Sequence, residues 1–284
     1  MSHTTLISAQ ELQALQAAAR PLLLLDVSFD LADTAAGERA YAQGHLPGAH
    51  YLHLDRDLSG AKAAEGQVFT GRHPLPEPAA FAQRLSALGL DAGMQVVAYD
   101  GQGGMYAARV WWMLRWLGHE AVAVLDGGLT AWQAAGGALG TDVPATRAGS
   151  FQASASLAPS IQADSLQAQL GRVRLLDARA GERYRGEVEP LDKQAGHIPG
   201  ALNRFFKDNL QADGRFKPAD ALRADFEALL PPFAASEVVH QCGSGVTACH
   251  NLLAMEHAGL RGSRLYPGSW SEWSGDPRRP VAQG

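Results

Sequence analysis

The chain has 284 residues, 46% of them apolar, and carries 24 Lys and Arg against 29 Asp and Glu for a formal charge of −5. That composition is of a globular protein with one large or two ordinary cores, and the mildly acidic balance argues against nucleic acid or an anionic membrane as the main partner. The longest greasy stretch, Leu22 to Leu25, is far too short to span a bilayer. The first residues lack a basic region ahead of an apolar run, and Cys242 and Cys249 alone form no disulfide framework. Both features point to the cytoplasm.

In chain order, Pro21–Val27 reads as an apolar strand ending in Asp26, and Gly44-His45-Leu46-Pro47-Gly48-Ala49 as a turn. Val96–Gly101 is a second strand. Tyr106–Leu117 follows as a helix that presents Tyr106, Val110, Trp111, Leu114 and Leu117 on one face before Gly118 stops it. That aromatic stripe is core rather than a ligand cage. The stretch from Val143 to Ser160 is small and polar, uncharged apart from Arg147, as expected of a linker.

Beyond it the pattern repeats. Leu22–Val27 is matched by the segment ending Asp177-Ala178, and Gly44–Ala49 by Gly196–Ala201 at a spacing of 152 residues. Asp100-Gly101 is matched by Cys242-Gly243 at a spacing of 142, and Leu125–Trp132 by Tyr266–Trp273 at 141. Four anchors in one order imply a duplicated domain, with expected bounds of 1–142, a linker over 143–160, and 161–284. Within each half, strands alternate with helices, which predicts an α/β fold with a mostly parallel sheet flanked by helices on both faces.

Only the second copy holds a cysteine at the matched position. There Glu237–Gln241 reads as a buried strand and Ala248–Gly259 as a helix ending at a glycine cap, so Cys242-Gly243-Ser244-Gly245-Val246-Thr247 turns a strand into a helix. A cysteine at the end of an apolar strand is ordinarily just buried. Here the glycines let successive N–H groups curl inward, and the helix adds its positive end, so the loop would stabilise an anion on sulfur. Cys242 is therefore the candidate nucleophile. The shorter spacing also leaves about ten extra residues in the first half, between Asp55 and Pro78. They carry His73 in Gly71-Arg72-His73-Pro74-Leu75-Pro76; a histidine in such a setting is ordinarily a turn residue, but one on an insertion could reach the Cys242 loop and act there.

The paired Gly-His-(Leu/Ile)-Pro-Gly-Ala motifs, the Asp177-Ala178-Arg179 strand end, the Cys242–Thr247 loop and Pro267–Trp273 together resemble the tandem rhodanese-domain sulfurtransferases over nearly the whole chain. The Cys-Gly-Ser-Gly-Val-Thr form is similar to that of the mercaptopyruvate-using members, whereas thiosulfate-using members have basic residues directly after the cysteine. The resemblance implies a Cys242 persulfide that passes sulfur from a small donor to a thiol, a thioredoxin-like protein or cyanide, with no cofactor. It implies that Gly243, Gly245, Val246 and Thr247 hold the sulfur anion, and that Ser244, His73 and Asp55 form a relay that polarises the donor and delivers a proton. Asp57 is a second candidate for the acidic member, two residues on and expected on the same strand face. Arg183 matches the arginine that binds the donor carboxylate. The chain departs from that pattern after Gly186, where Glu187–Lys193 contains no second arginine. A phosphatase would need arginine at position 248, which is Ala248, and Cys242, Cys249 and His250 lack the second ligand pair of a metal site. A carrier or binding module would not need to retain Cys242.

Overall fold

The structure, a computed structural model, describes residues 2–64 and 68–284. The chain folds as two compact units: Met1–Ser59, Pro76–Leu157 and Gln211–Phe216 in one, and Gly60–Leu75, Ala158–Leu210 and Lys217–Gly284 in the other. The extra segment of the first half thus packs with the second unit. Much of the expected linker belongs to the first: the N–H groups of Gly149, Ser154 and Leu157 donate to the carbonyls of Ser86, Leu117 and Arg115 at 2.7, 2.9 and 2.9 Å. Those carbonyls lie at helix C-termini, where backbone acceptors lack intrahelical partners.

The first unit contains β1 (Leu6–Ile7), α1 (Ala9–Ala17), β2 (Leu22–Asp26), α2 (Ala36–Gln43), β3 (Ala49–Tyr51), α3 (Pro78–Ala87), β4 (Gln95–Tyr99), α4 (Ala107–Trp116), β5 (Val122–Leu125) and α5 (Gly128–Ala134). Its sheet runs β1-β5-β4-β2-β3 with parallel pairing, Leu24 facing Val97 on one side and Ala49 on the other. Leu22–Leu25 shows no polar alternation because helices flank such a sheet and bury both faces. In α4 burial is wider than the predicted stripe: Arg109, Trp112 and Met113 are as buried as Val110 and Leu114.

The second unit contains α6 (Ala163–Ala168), β6 (Arg174–Asp177), α7 (Gly181–Arg185), β7 (Leu202–Asn203), α8 (Ala219–Glu227), β8 (Val238–Gln241), α9 (Ala248–His257), β9 (Arg264–Leu265) and α10 (Ser269–Gly275). Its sheet runs β7-β6-β8-β9, again parallel, with Asp177 opposite Gln241. The core gathers Leu175, Ile198, Val239, Tyr266, Trp270 and Trp273.

Duplication extends to side-chain detail. Tyr41 stacks on His45 at 3.8 Å and Tyr184 on His197 at 3.9 Å. In each pair the tyrosine hydroxyl donates 2.7 Å to an alanine carbonyl, Ala49 or Ala201, and the imidazole Nδ1 meets its tyrosine's carbonyl. Trp132 and Trp273 both donate their indole N–H to a carbonyl a few residues on, Ala138 and Pro280. Among the described residues no helix is long and apolar enough to cross a membrane.

Candidate active site

Cys242 follows directly on β8 and is 2% exposed. Its backbone is pinned to the start of α10: Trp270 N donates to Cys242 O at 3.0 Å, Ser271 N to Gly243 O at 2.9 Å, and Cys242 N to Ser269 Oγ at 3.1 Å. Ser269 performs this at φ +54, a left-handed conformation costly for any residue with a Cβ. The matched position in the first unit is Gly128, at the same φ of +54. A serine thus replaces the expected glycine where its hydroxyl, itself donating to Tyr266 O at 2.9 Å, can accept the Cys242 N–H. Sequence reasoning missed Ser269; its only signal was that one copy of the repeat has glycine there and the other does not.

The loop curls as expected. Gly245 lies at φ +74 against the Pro267 carbonyl, and α9 starts at Ala248. What such a curl binds is visible in the first unit, where Asp100 occupies the cysteine's place. Its Oδ1 accepts the N–H of Gln102 and Gly104 at 2.8 and 2.9 Å, and its Oδ2 those of Tyr106 and Ala107 at 2.9 and 3.0 Å. Four backbone donors therefore converge on one carboxylate at a helix N-terminus. The copy without the thiol fills its loop with a carboxylate; the copy with Cys242 has Gly243–Thr247 at the matching positions. Cys249, one turn into α9, points back and donates Sγ–H to Gly245 O at 3.4 Å, a structural role.

His73 is brought to this loop. Its Nδ1 lies 2.7 Å from Ser244 Oγ, and both side chains are buried. The segment is seated by Arg72 N donating to Ser271 Oγ at 3.1 Å, by Gly71 at φ +102 close over Gly268 O, and by Gly60 N donating to Pro74 O at 2.9 Å. Asp55 belongs to the other unit. Residues 54–57 form a turn, not the strand expected for Asp55 and Asp57, because Asp57 N and Asp57 Oδ2 both close back on His53, at 2.8 Å each. Asp57 Oδ1 accepts Arg84 Nε at 2.9 Å, so that carboxylate is committed locally.

Arg183 lies on α7, in company. Its Nη2 meets Glu189 Oε1 at 2.7 Å and Asp192 Oδ2 at 3.3 Å, while Arg72 Nη1 contacts the other oxygen of Asp192. Both guanidinium tips border the residue after the cysteine: a methyl carbon on Gly243 would lie 2.9 Å from Arg72 Nη2 and 3.5 Å from Arg183 Nη1. Burial pushes the Asp192 carboxyl above the usual carboxylate range, with Arg72 and Arg183 pulling it back. Behind them Arg179 binds Asp177 through Nε and Nη2 and Glu189 through Nη1, and lies 4.7 Å over the Trp270 ring. Sequence reasoning passed over Arg72, although it adjoins His73. Among the described residues no cluster of three or more His, Cys, Asp or Glu could hold a metal.

Fold and site define a duplicated α/β protein in which one copy sets a cysteine, and the other a carboxylate, in an anion-binding loop. A model of the rhodanese-like domain matches residues 8–135 and 162–276. The chain is 53% identical over 287 residues to a probable 3-mercaptopyruvate sulfurtransferase of Pseudomonas aeruginosa, covering all of both chains. It is 40% identical over 285 residues to a putative thiosulfate sulfurtransferase, SseB, of Mycobacterium tuberculosis, covering 98% of this chain and 97% of that one. The 3-mercaptopyruvate sulfurtransferase from Leishmania major superposes with a TM-score of 0.84 at 30% identity, over 98% of this chain and 76% of that one. The chain belongs to the rhodanese-like family, and it is an enzyme, a sulfurtransferase.

Proposed function

We propose that the chain moves sulfane sulfur from 3-mercaptopyruvate, through a Cys242 persulfide, to a thiol, a thioredoxin-like protein or cyanide. The observation that carries the donor assignment is the 2.7 Å contact between His73 Nδ1 and Ser244 Oγ in a loop whose own side chains are uncharged. The Cys242 thiolate attacks the donor's thiol sulfur, an S–S bond forms, and the C–S bond breaks with its electron pair moving to carbon. The leaving group is the enolate of pyruvate, which needs a proton; Ser244, backed by His73, supplies it and regains one from the donor's S–H, which leaves the outer sulfur anionic. Asp55 keeps the acidic role on the resemblance, and the commitment of Asp57 to Arg84 and His53 supports preferring it to Asp57. The persulfide's charge rests on the outer sulfur, for which the Gly243–Thr247 backbone serves as the cradle that Asp100 fills in the other copy. Arg183 binds the donor carboxylate. An acceptor thiolate then attacks the outer sulfur and regenerates the Cys242 thiolate. Two free cysteines suit a reducing compartment, which supports placing the reaction in the cytoplasm.

Thiosulfate is the second reading, favoured by the two guanidinium groups beside Gly243. Intact mass after brief exposure to each donor separates the readings, with Cys242→Ser alongside. Gain of one sulfur atom from mercaptopyruvate, absent in the variant, is expected; gain from thiosulfate alone, or gain that survives in the variant, refutes the proposal.

A further inference from the structure

We propose that Asp192 determines which donor charge this loop accepts: its carboxylate, held between Arg72 and Arg183, offsets part of their positive charge so that a monoanion is taken in preference to a dianion. This rests on the reading that the loop takes sulfur from an anionic donor.

The arginines near Cys242 form a closed charge lattice. Arg72, Arg179 and Arg183 face Asp177, Glu189 and Asp192, three of each sign. Arg179 is spent: it is 1% exposed, bound to both Asp177 oxygens, to Glu189 and to Gly196 O. Glu189 is spent too, accepting Arg183 Nη2 and the N–H groups of Leu191 and Asp192 through Oε1, which fixes the turn that delivers Asp192. Arg72 and Arg183 are 23% and 18% exposed, and their guanidinium tips border Gly243. Asp192, 4% exposed, binds one of its oxygens to each of them. Arg72 thus brings a second guanidinium beside Gly243, and Asp192 offsets the charge it brings.

A donor anion here feels two guanidinium groups and one carboxylate. Removing the charge of Asp192 helps it in proportion to its own charge: nothing for a neutral reagent, one increment for a monoanion, two for a dianion. A role confined to holding the fold would not grade with reagent charge. Mercaptopyruvate brings one carboxylate, thiosulfate two negative charges.

The test compares the parent with Asp192→Asn, which keeps size and a hydrogen-bonding oxygen, and with Arg72→Gln, which shifts the lattice the other way. Rates of Cys242 alkylation by anionic iodoacetate and neutral iodoacetamide are read by intact mass, with Cys242→Ser as the blank. The ratio of the two rates cancels thiol reactivity. Asp192→Asn is expected to raise it about fivefold and Arg72→Gln to lower it similarly, for unit charges several ångströms apart in a partly wet cleft. Persulfide loading by thiosulfate relative to mercaptopyruvate should rise by the same factor, about fivefold, in Asp192→Asn, since dianion and monoanion also differ by one charge. An unchanged or lowered alkylation ratio in Asp192→Asn overturns the proposal. If that variant does not fold, an unchanged ratio in Arg72→Gln overturns it and a lowered ratio supports it. Failure of the sulfurtransferase reading shows separately, as a parent protein that takes sulfur from neither donor while its alkylation ratio still responds to both substitutions.

Discussion

Replacing Gly245 by alanine tests whether the shape of the cysteine loop, and not only its chemistry, is built into the fold. Gly245 sits at φ +74, and a methyl carbon there would lie 2.3 Å from Pro267 O and 3.0 Å from its C and Cα. Left-handed backbone costs a non-glycine residue about 1 kcal/mol, and overlap with a backbone that cannot swing aside adds about 1–3 kcal/mol. The expected loss is about 2–4 kcal/mol, a fall in Tm of roughly 5–15 °C. The strain has one outlet, the Pro267–Ser269 turn, whose next N–H groups hold Cys242 O and Gly243 O. Sulfur transfer should therefore fall with stability. Gly243→Ala is the control two residues away, since its methyl would meet only the flexible tips of Arg72 and Arg183. It should cost less than about 1 kcal/mol while lowering turnover about tenfold by displacing two guanidinium groups. Thermal melts read beside persulfide loading decide the matter. A Gly245→Ala protein that melts with the parent and keeps full activity, or a Gly243→Ala protein equally destabilised, refutes the reasoning.

Ser244→Ala should slow mercaptopyruvate turnover about 100–1000-fold and thiosulfate turnover far less, because sulfite departs without needing a proton; equal losses with both donors would remove Ser244 and His73 from proton delivery. His240 on β8 is fully buried, and burial pushes its pKa down to about 3. The unfolded chain takes up a proton near pH 6.5 that the folded chain refuses until about 3. Stability from this group is therefore whole above pH 6.5 and falls by up to about 1.4 kcal/mol per pH unit below it. His240→Leu should flatten the acid limb of a denaturation profile; an unchanged limb would show that other groups govern it.

Much of the architecture could be read without coordinates, because it rests on local rules repeated twice. Apolar runs ending in aspartate became central parallel strands, Gly118 and Gly259 stopped helices at φ +83 and +78, and the Cys242–Thr247 loop joined a strand to a helix. The repeat also placed Asp100 opposite Cys242, which located the single thiol loop. Strand and helix signals depend on residues a few positions apart, so one sequence carries them.

What tertiary structure decided involves residues far apart in the chain. Ser269 at a left-handed φ, its hydroxyl under Cys242 N, could not be foreseen, since its conformation is imposed by α10 packing against the loop. Residues 54–57 became a turn through Asp57 and His53, where Asp55 and Asp57 were expected on one strand face. The 2.7 Å meeting of His73 and Ser244 spans 171 positions and depends on Gly60–Leu75 folding with the second unit. Arg183 could be singled out in the sequence, but its charge environment could not. Arg72, 120 positions before Asp192, becomes its ion-pair partner only in three dimensions, and electrostatic balance is a sum over neighbours in space that no local pattern encodes. The chain's order thus determined where Cys242 would sit; folding decided which charges surround its loop.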